Sequence, residues 1–279
     1  MDDLIYFVNS RGKTTYLATP NNRNCFVLAG RYGFSAPEVD IFTQKFVSGK
    51  TEFFGKALKP RTCGLQMLVR GKDQAERDNI FYSMLDVLLD ADGEGEGKLY
   101  VKRSDGSMVC LNCIYSSGMR AADQYKNFRS FAVEFYAADP WFYVERKNNI
   151  YTDELDINDV TVNWNITPSY WVEMEYKYDG IGTDTYFMAG VSVPNVGSSS
   201  IQLWTEDLTA GDTLVISTKD GVSYVRDEYG KKTFYKYLSK LLIPAGTLRT
   251  VTPLGGGSTA IREAFAESTY TIKSNIAGV

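Results

Sequence analysis

Short runs that alternate apolar and polar residues, each closed by a glycine-containing turn, restrict this chain's fold more than any other feature. Lys98-Leu-Tyr-Val-Lys-Arg103, Ser104-Asp-Gly-Ser107 and Met108-Val-Cys-Leu-Asn-Cys-Ile-Tyr115 read as a β-hairpin turned at Asp105-Gly106. Glu38–Val47 and Thr51–Leu58 form a longer pair around Ser48-Gly49, and Phe128–Tyr136 alternates as a strand. Further on, Tyr170–Tyr178 precedes Asp179-Gly180, and Thr213–Thr218 precedes Asp220-Gly221. Tyr224–Asp227 and Lys231–Tyr235 flank Tyr229-Gly230. A side-chain period of two with turns at such short spacing is the pattern of a sandwich or barrel. Aromatic residues at 14% suit a pleated surface.

The 3.6 period appears once. In Lys72–Ala91, Ile80, Phe81, Met84, Leu85, Leu88 and Leu89 recur at three- and four-residue steps, which predicts a helix packed through Ile80, Phe81, Leu85 and Leu88. Asp73 followed by Glu76 supplies a capping box at its start. The polar joint from Asp139-Pro140 to Asn148-Asn149 divides the chain into a nearly charge-balanced domain, residues 1–146, and an acidic domain, residues 147–279. Gly255-Gly-Gly-Ser258 reads as a short flexible loop.

With 279 residues and a net charge of −4, the chain lacks the basic excess of an ordinary nucleic-acid binder. It has no histidine, which removes His-containing triads, most zinc sites and any histidine pH switch. Met1-Asp-Asp-Leu is acidic where a secretory signal is basic, and no run nears the ~18 apolar residues of a membrane span. The expectation is a cytoplasmically made protein without membrane insertion, its four cysteines reduced.

Candidate chemistry is thin. Cys110-Leu-Asn-Cys113 has the spacing of a zinc or dithiol pair but sits in a predicted strand, and only Cys25 and Cys63 remain as further ligands. Gly93-Glu-Gly-Glu-Gly97 spaces its glycines like a phosphate loop, yet Glu94 and Glu96 repel an anion. No metal, cofactor or catalytic residue is therefore assigned. Asp153, Glu154, Asp156, Asp207 and Asp212 could supply the carboxylate pair of a glycoside hydrolase. Trp164, Tyr170, Trp171, Tyr176, Tyr178, Tyr186 and Trp204 could stack on sugars in a carbohydrate- or host-surface-binding adhesin, Trp164 and Trp171 foremost, but alternating Tyr and Trp also fill sandwich cores, which is the favoured reading for most of them. Lys45, Lys50, Lys56, Lys59 and Arg61 interleave with Phe46, Phe53 and Phe54. This reads less as a single-strand nucleic-acid site than as an arm, residues 38–58, packing on a neighbouring subunit through Phe46, Phe53, Phe54 and Lys56, with Arg61 at its base.

Taken in order, Ile5-Tyr-Phe-Val-Asn-Ser-Arg-Gly-Lys13, the long hairpin with Lys59-Pro60-Arg61, the strand Gly64–Val69, the Arg77–Leu89 helix, the Leu99–Tyr115 hairpin and Phe131–Phe135 running into Asp139-Pro140-Trp141-Phe142 form a familiar series. The chain resembles the distal tail proteins of long-tailed phages, the siphophage tail-component family, closely over residues 1–146 and more loosely through Val193-Pro-Asn-Val-Gly197, Leu203–Ile216 and Leu242-Ile-Pro-Ala-Gly-Thr247, where the family tends to show an Asn-x-Gly turn and a late Pro-Gly turn. The resemblance implies a mainly β fold: a split β-barrel with one α-helix, then a galectin-like β-sandwich. It further implies a homo-hexameric ring in the virion at the tail tip. The major tail (tube) protein would lie above, a tail-tip or baseplate hub protein below and receptor-binding proteins nearby, with DNA passing the lumen unbound. Galectin-like shape carries no sugar site by itself.

Overall fold

A computed structural model of the chain describes residues 4–19, 24–149, 155–156, 165–180, 186–193, 197–204, 208–219, 221–237, 241, 243–244, 250–254, 265 and 267–276. The protein is mainly β, with one α-helix among the described residues. Among these residues no helix is long and apolar enough to cross a membrane. The chain folds as two compact units: Met1–Ala91 with Glu96–Phe142 and Ala277–Val279, and Asp92–Gly95 with Tyr143–Ile276.

The first unit contains β1 (Ile5–Val8), β2 (Thr14–Ala18), β3 (Cys25–Tyr32), β4 (Val39–Lys45), β5 (Thr51–Leu58), β6 (Arg61–Arg70), α1 (Gln74–Leu89), β7 (Gly97–Lys102), β8 (Met108–Gln124) and β9 (Phe128–Ala137). Seven strands pair antiparallel in the order β2-β1-β7-β8-β9-β6-β3. The end strands approach at Cys25, whose thiol lies 3.4 Å from the Leu17 carbonyl oxygen, but no ladder joins them among the described residues. The sheet thus curls without closing into a barrel.

Strand β8 runs well past Tyr115, where the sequence pattern ends. Its first six residues pair with β7 and the remainder with β9, with register breaks between Tyr115 and Ser117 and between Gly118 and Ala121. Ser116-Ser117-Gly118 has the composition of a loop, but bulges of this kind bend a strand while pairing continues on either side.

Asp73 caps α1 by accepting from the Glu76 N–H at 2.9 Å, and the Glu76 carboxylate returns the favour by accepting from the Lys72 N–H at 2.7 Å. Along the helix Arg77, Phe81, Met84 and Leu88 are buried, while Ile80 and Leu85 are half-buried. Leu89, expected in the stripe, is exposed, because a helix on one sheet buries a single narrow face and Leu89 lies around from it. The helix lies against β6 and β9, along which Leu65, Met67, Val69, Phe131, Val133 and Phe135 are buried at alternate positions. Phe81 stands edge-on to Phe131 at 5.1 Å, and the Arg129 guanidinium covers its ring at 3.8 Å.

Each end of α1 is fastened by a charge. Arg77 donates to the Tyr125 carbonyl and to Asp78 Oδ1, fixing the β8–β9 turn. Asp90, left-handed at φ 43°, ψ 50°, accepts from Asn9 Nδ2 at 3.0 Å, Arg11 Nε at 2.9 Å, Ser10 N at 3.1 Å and Ser10 Oγ at 2.5 Å. The β1–β2 turn is thereby pinned to the helix C-terminus.

The second unit holds β10 (Phe142–Asn149, its first residue excepted), β11 (Leu155–Asp156), β12 (Asn165–Lys177), β13 (Tyr186–Val193), β14 (Gly197–Trp204), β15 (Thr213–Ser217), β16 (Val222–Arg226), β17 (Lys232–Tyr237), β18 (Ile243–Pro244), β19 (Thr250–Leu254) and β20 (Thr269–Ile276). They form two sheets, β17-β16-β15-β12-β20-β10 with β18 beside β12, and β11-β19-β13-β14. Val172, Met174 and Tyr176 of β12 are buried, and the Tyr176 hydroxyl accepts from the Gly190 N–H of β13 at 3.3 Å, linking the sheets. Pro194–Val196, Leu242, Ala245–Thr247 and Gly255–Ser258, expected as turns and a loop, lie outside the described residues.

Removing the Asp90 carboxylate takes an acceptor from four donors and leaves a left-handed alanine. Asp90→Ala is expected to lower stability by about 2–3 kcal/mol, read as a lower urea midpoint at unchanged m-value. Asp90→Asn, which tolerates the left-handed region and keeps one carbonyl acceptor, is expected to lose about half as much.

Candidate assembly surface

Among the described strands, β4 and β5 pair only with each other. Their register sets Val39 opposite Leu58, Ile41 opposite Lys56, Thr43 opposite Phe53 and Lys45 opposite Thr51 on one face. Asp40 with Ala57, Phe42 with Gly55 and Gln44 with Glu52 lie on the other. Phe54 is the extra residue of a bulge between Phe42 and Thr43. At the tip, Phe46 N–H donates to the Lys50 carbonyl at 2.8 Å and Gly49 N–H to the Phe46 carbonyl at 2.9 Å. Gly49, at φ +81°, takes a conformation most side chains avoid.

The arm is bare on both faces. Phe53 is 66% and Phe54 79% exposed, and Val39, Ile41, Phe42, Phe46, Leu58 and Lys56 are exposed as well. A two-stranded hairpin is marginal in water, and a contiguous apolar surface of this kind marks an interaction site. Its base is anchored instead. Lys59 N–H donates to the Glu38 carbonyl at 3.0 Å, and its ammonium lies 3.1 Å from Asp40 and 3.6 Å from Glu38. Arg61, grouped by sequence with the contact residues, is buried. Its guanidinium donates to the Gly33 carbonyl at 2.9 Å and lies 4.9 Å from the Phe142 ring, so it braces the base from within. Gly33 has φ +78°, and a Cβ there would stand 2.0 Å from the Thr62 carbonyl oxygen, so only glycine fits beneath the arm.

Other sequence candidates scatter. Trp171 is 6% exposed, with Tyr143 against its edge at 6.1 Å and the Lys219 ammonium 4.6 Å from its ring, so groups of this chain already occupy the surface a sugar would need. Tyr176 and Tyr178 are likewise buried around Phe265. Trp164, Asp153, Glu154 and Asp207 lie outside the described residues, and Asp212 is engaged in its own turn, accepting from the Thr209 N–H at 2.8 Å. Cys25, Cys63, Cys110 and Cys113 are free thiols and all buried. Burial pushes Cys25 and Cys63 up to about 12 and Cys113 well above the ordinary thiol value.

A polar cluster on the sheet has no counterpart among the sequence candidates. Tyr32 and Ser117 hydroxyls both donate to the Glu134 carboxylate, which they hold below its usual range, Ser117 most strongly. The bond to Glu134, with some burial, pushes the Tyr32 phenol up to about 12. Tyr32 and Glu134 are 102 residues apart, and no local pattern marks their meeting.

No family model matches the sequence, and no curated protein matches it. Among solved structures, a chain in the phage P2 baseplate in its activated conformation with Ca aligns over 100% of both chains at 9% identity, with a TM-score of 0.56. The corresponding baseplate with Sr aligns over 99% of both chains at 8% identity, with a TM-score of 0.55. The SPP1 Dit protein, from a hub adsorption apparatus of phages infecting Gram-positive bacteria, covers 98% of this chain and 99% of its own at 9% identity. Its TM-score is 0.47, too low to add to the baseplate likeness. At such identities the likeness is one of fold: this chain is built like a component of a phage baseplate.

Because all four thiols are buried, a thiol reagent at pH 8 is expected to label none of them in the folded protein and all four in denaturant. Spectrophotometric thiol counting checks this, and a rapidly labelled native thiol contradicts it.

Proposed function

We propose that this protein is a structural subunit of a phage tail, forming a hub ring at the distal end. Six copies surround a shared axis, with the first unit as a split-barrel ring domain and the second as a galectin-like sandwich at the periphery. The ring joins the tube protein above to the tip or baseplate hub below, offers a mount for receptor-binding proteins, and leaves a lumen for the genome. Its work is architectural, with no catalytic step.

The arm is the observation that carries this reading. Residues 39–58 present apolar side chains on both faces and pair with no other described strand, on a fold shared with a phage baseplate chain. Surface of that kind is satisfied when a sister copy covers it. An arm seated on a different patch of the next copy makes a head-to-tail contact, which closes into a ring when the rotation allows. The near-balanced charge of the first 146 residues also suits a channel that must not hold DNA by phosphate neutralisation.

Sedimentation of the full-length protein at micromolar concentration is expected to give a ring of six. Replacing residues 48–56 with a short Gly-Ser turn is expected to give folded monomers with unchanged far-ultraviolet circular dichroism. A wild-type chain that stays monomeric, alone and with tail tubes added, overturns the reading.

A further inference from the structure

Resting on the ring reading, we propose that the seat for the arm is the outer face of α1 on the next copy, with Phe53, Lys56 and Leu58 set against Tyr82, Asp86 and Leu89. The helix has a second stripe beside its buried one. Tyr82 is 59% and Leu89 55% exposed, and Asp86 lies exposed between them at i+4 and i+7 spacing. Two large apolar side chains turned to water are costly on a helix whose inner face already serves the core. Among its described residues the first unit has no element left to cover them.

Charge selects the occupant. Across Gln74–Leu89 the acids are Glu76, Asp78 and Asp86, and the one base, Arg77, is buried. Glu76 is engaged with the Lys72 N–H and Asp78 with Arg77, so among the described residues Asp86 is the helix acid whose carboxylate has no partner. On the arm, Lys59 is held by Glu38 and Asp40, and Lys50 by Glu52. Lys56 and Lys45 have no carboxylate among the described residues, and the register puts both on the face with Val39, Leu58, Ile41 and Phe53. One surface is thus apolar with an unpaired acid, the other apolar with unpaired bases.

The order and spacing also agree. Same-face rows of a strand pair repeat every ~6.8 Å, so Phe53, Lys56 and Leu58 span about 14 Å. Tyr82, Asp86 and Leu89 span about 10 Å of helix, a difference within the reach of a lysine side chain. Each surface reads apolar, charged, apolar. Within one copy both stay bare, so the contact is between copies and head-to-tail.

Charge reversal tests the pairing. Lys56→Glu and Asp86→Lys are each expected to raise the concentration of half-assembly at least tenfold, and the two together to restore it. Sedimentation reads assembly, and circular dichroism confirms that these exposed substitutions fold. In the full chain carrying Phe53→Cys and Tyr82→Cys, oxidation is expected to give covalent multimers beyond a dimer, while either single substitution stops at a dimer. Because the native thiols are buried, they do not compete. Single charge variants that assemble like wild type, or oxidation that yields nothing beyond dimers, overturn this seat while the ring reading stands. A wild-type chain that never assembles removes both.

Discussion

Two charges hold α1 on its sheet, and the packing of the first unit depends on them. Arg77 is almost wholly out of water, a position a guanidinium tolerates only when its donors are met. The Tyr125 carbonyl and the Asp78 carboxylate meet them, so the β8–β9 turn and the helix start become one piece. At the other end Asp90 gathers Asn9, Ser10 and Arg11 around one carboxylate. Between these fastenings the helix has a single orientation, in which Phe81, Met84 and Leu88 face the sheet and Tyr82, Asp86 and Leu89 face away.

The arm follows the opposite logic. The strands of the curled sheet bury side chains against the helix or their neighbours, whereas β4 and β5 bury none. Only their inward-facing backbone groups are paired with each other, and the outer edges are left to solvent, so the hairpin is marginal by itself. What it leaves unsatisfied is apolar area, and association relieves that term. The anchored base at Gly33, Lys59 and Arg61 lets a rigid unit carry such a projection.

Much of the fold was legible in residue order because strand and helix periods are local. The Asp105-Gly106 and Ser48-Gly49 turns sit where the pattern puts them, Asp73 and Glu76 cap the helix, and Phe128–Tyr136 pairs as a strand. What residue order left undecided has one cause. Ser116-Ser117-Gly118 has loop composition but is bent strand, since pairing partners override propensity. Leu89 joins the apolar stripe by spacing, yet only packing decides which side of a helix is inner. Arg77 counts as polar until the fold brings a carbonyl 48 residues away to its guanidinium. Trp171 belongs to an aromatic set whose favoured reading is core and whose other reading is a sugar platform, and it is the packing of Tyr143 and Lys219 around it that makes it core.

By itself the sequence determined the alternation, the turns, the helix caps, the lack of histidine and an aromatic hairpin with lysines, all properties of neighbours along the chain. Tertiary structure alone decided the strand order β2-β1-β7-β8-β9-β6-β3, the partners of Arg77, Asp90 and Glu134, and which apolar side chains remain in water. Those outcomes depend on meetings across as many as 102 residues, and exposure is what remains after every such meeting has been made.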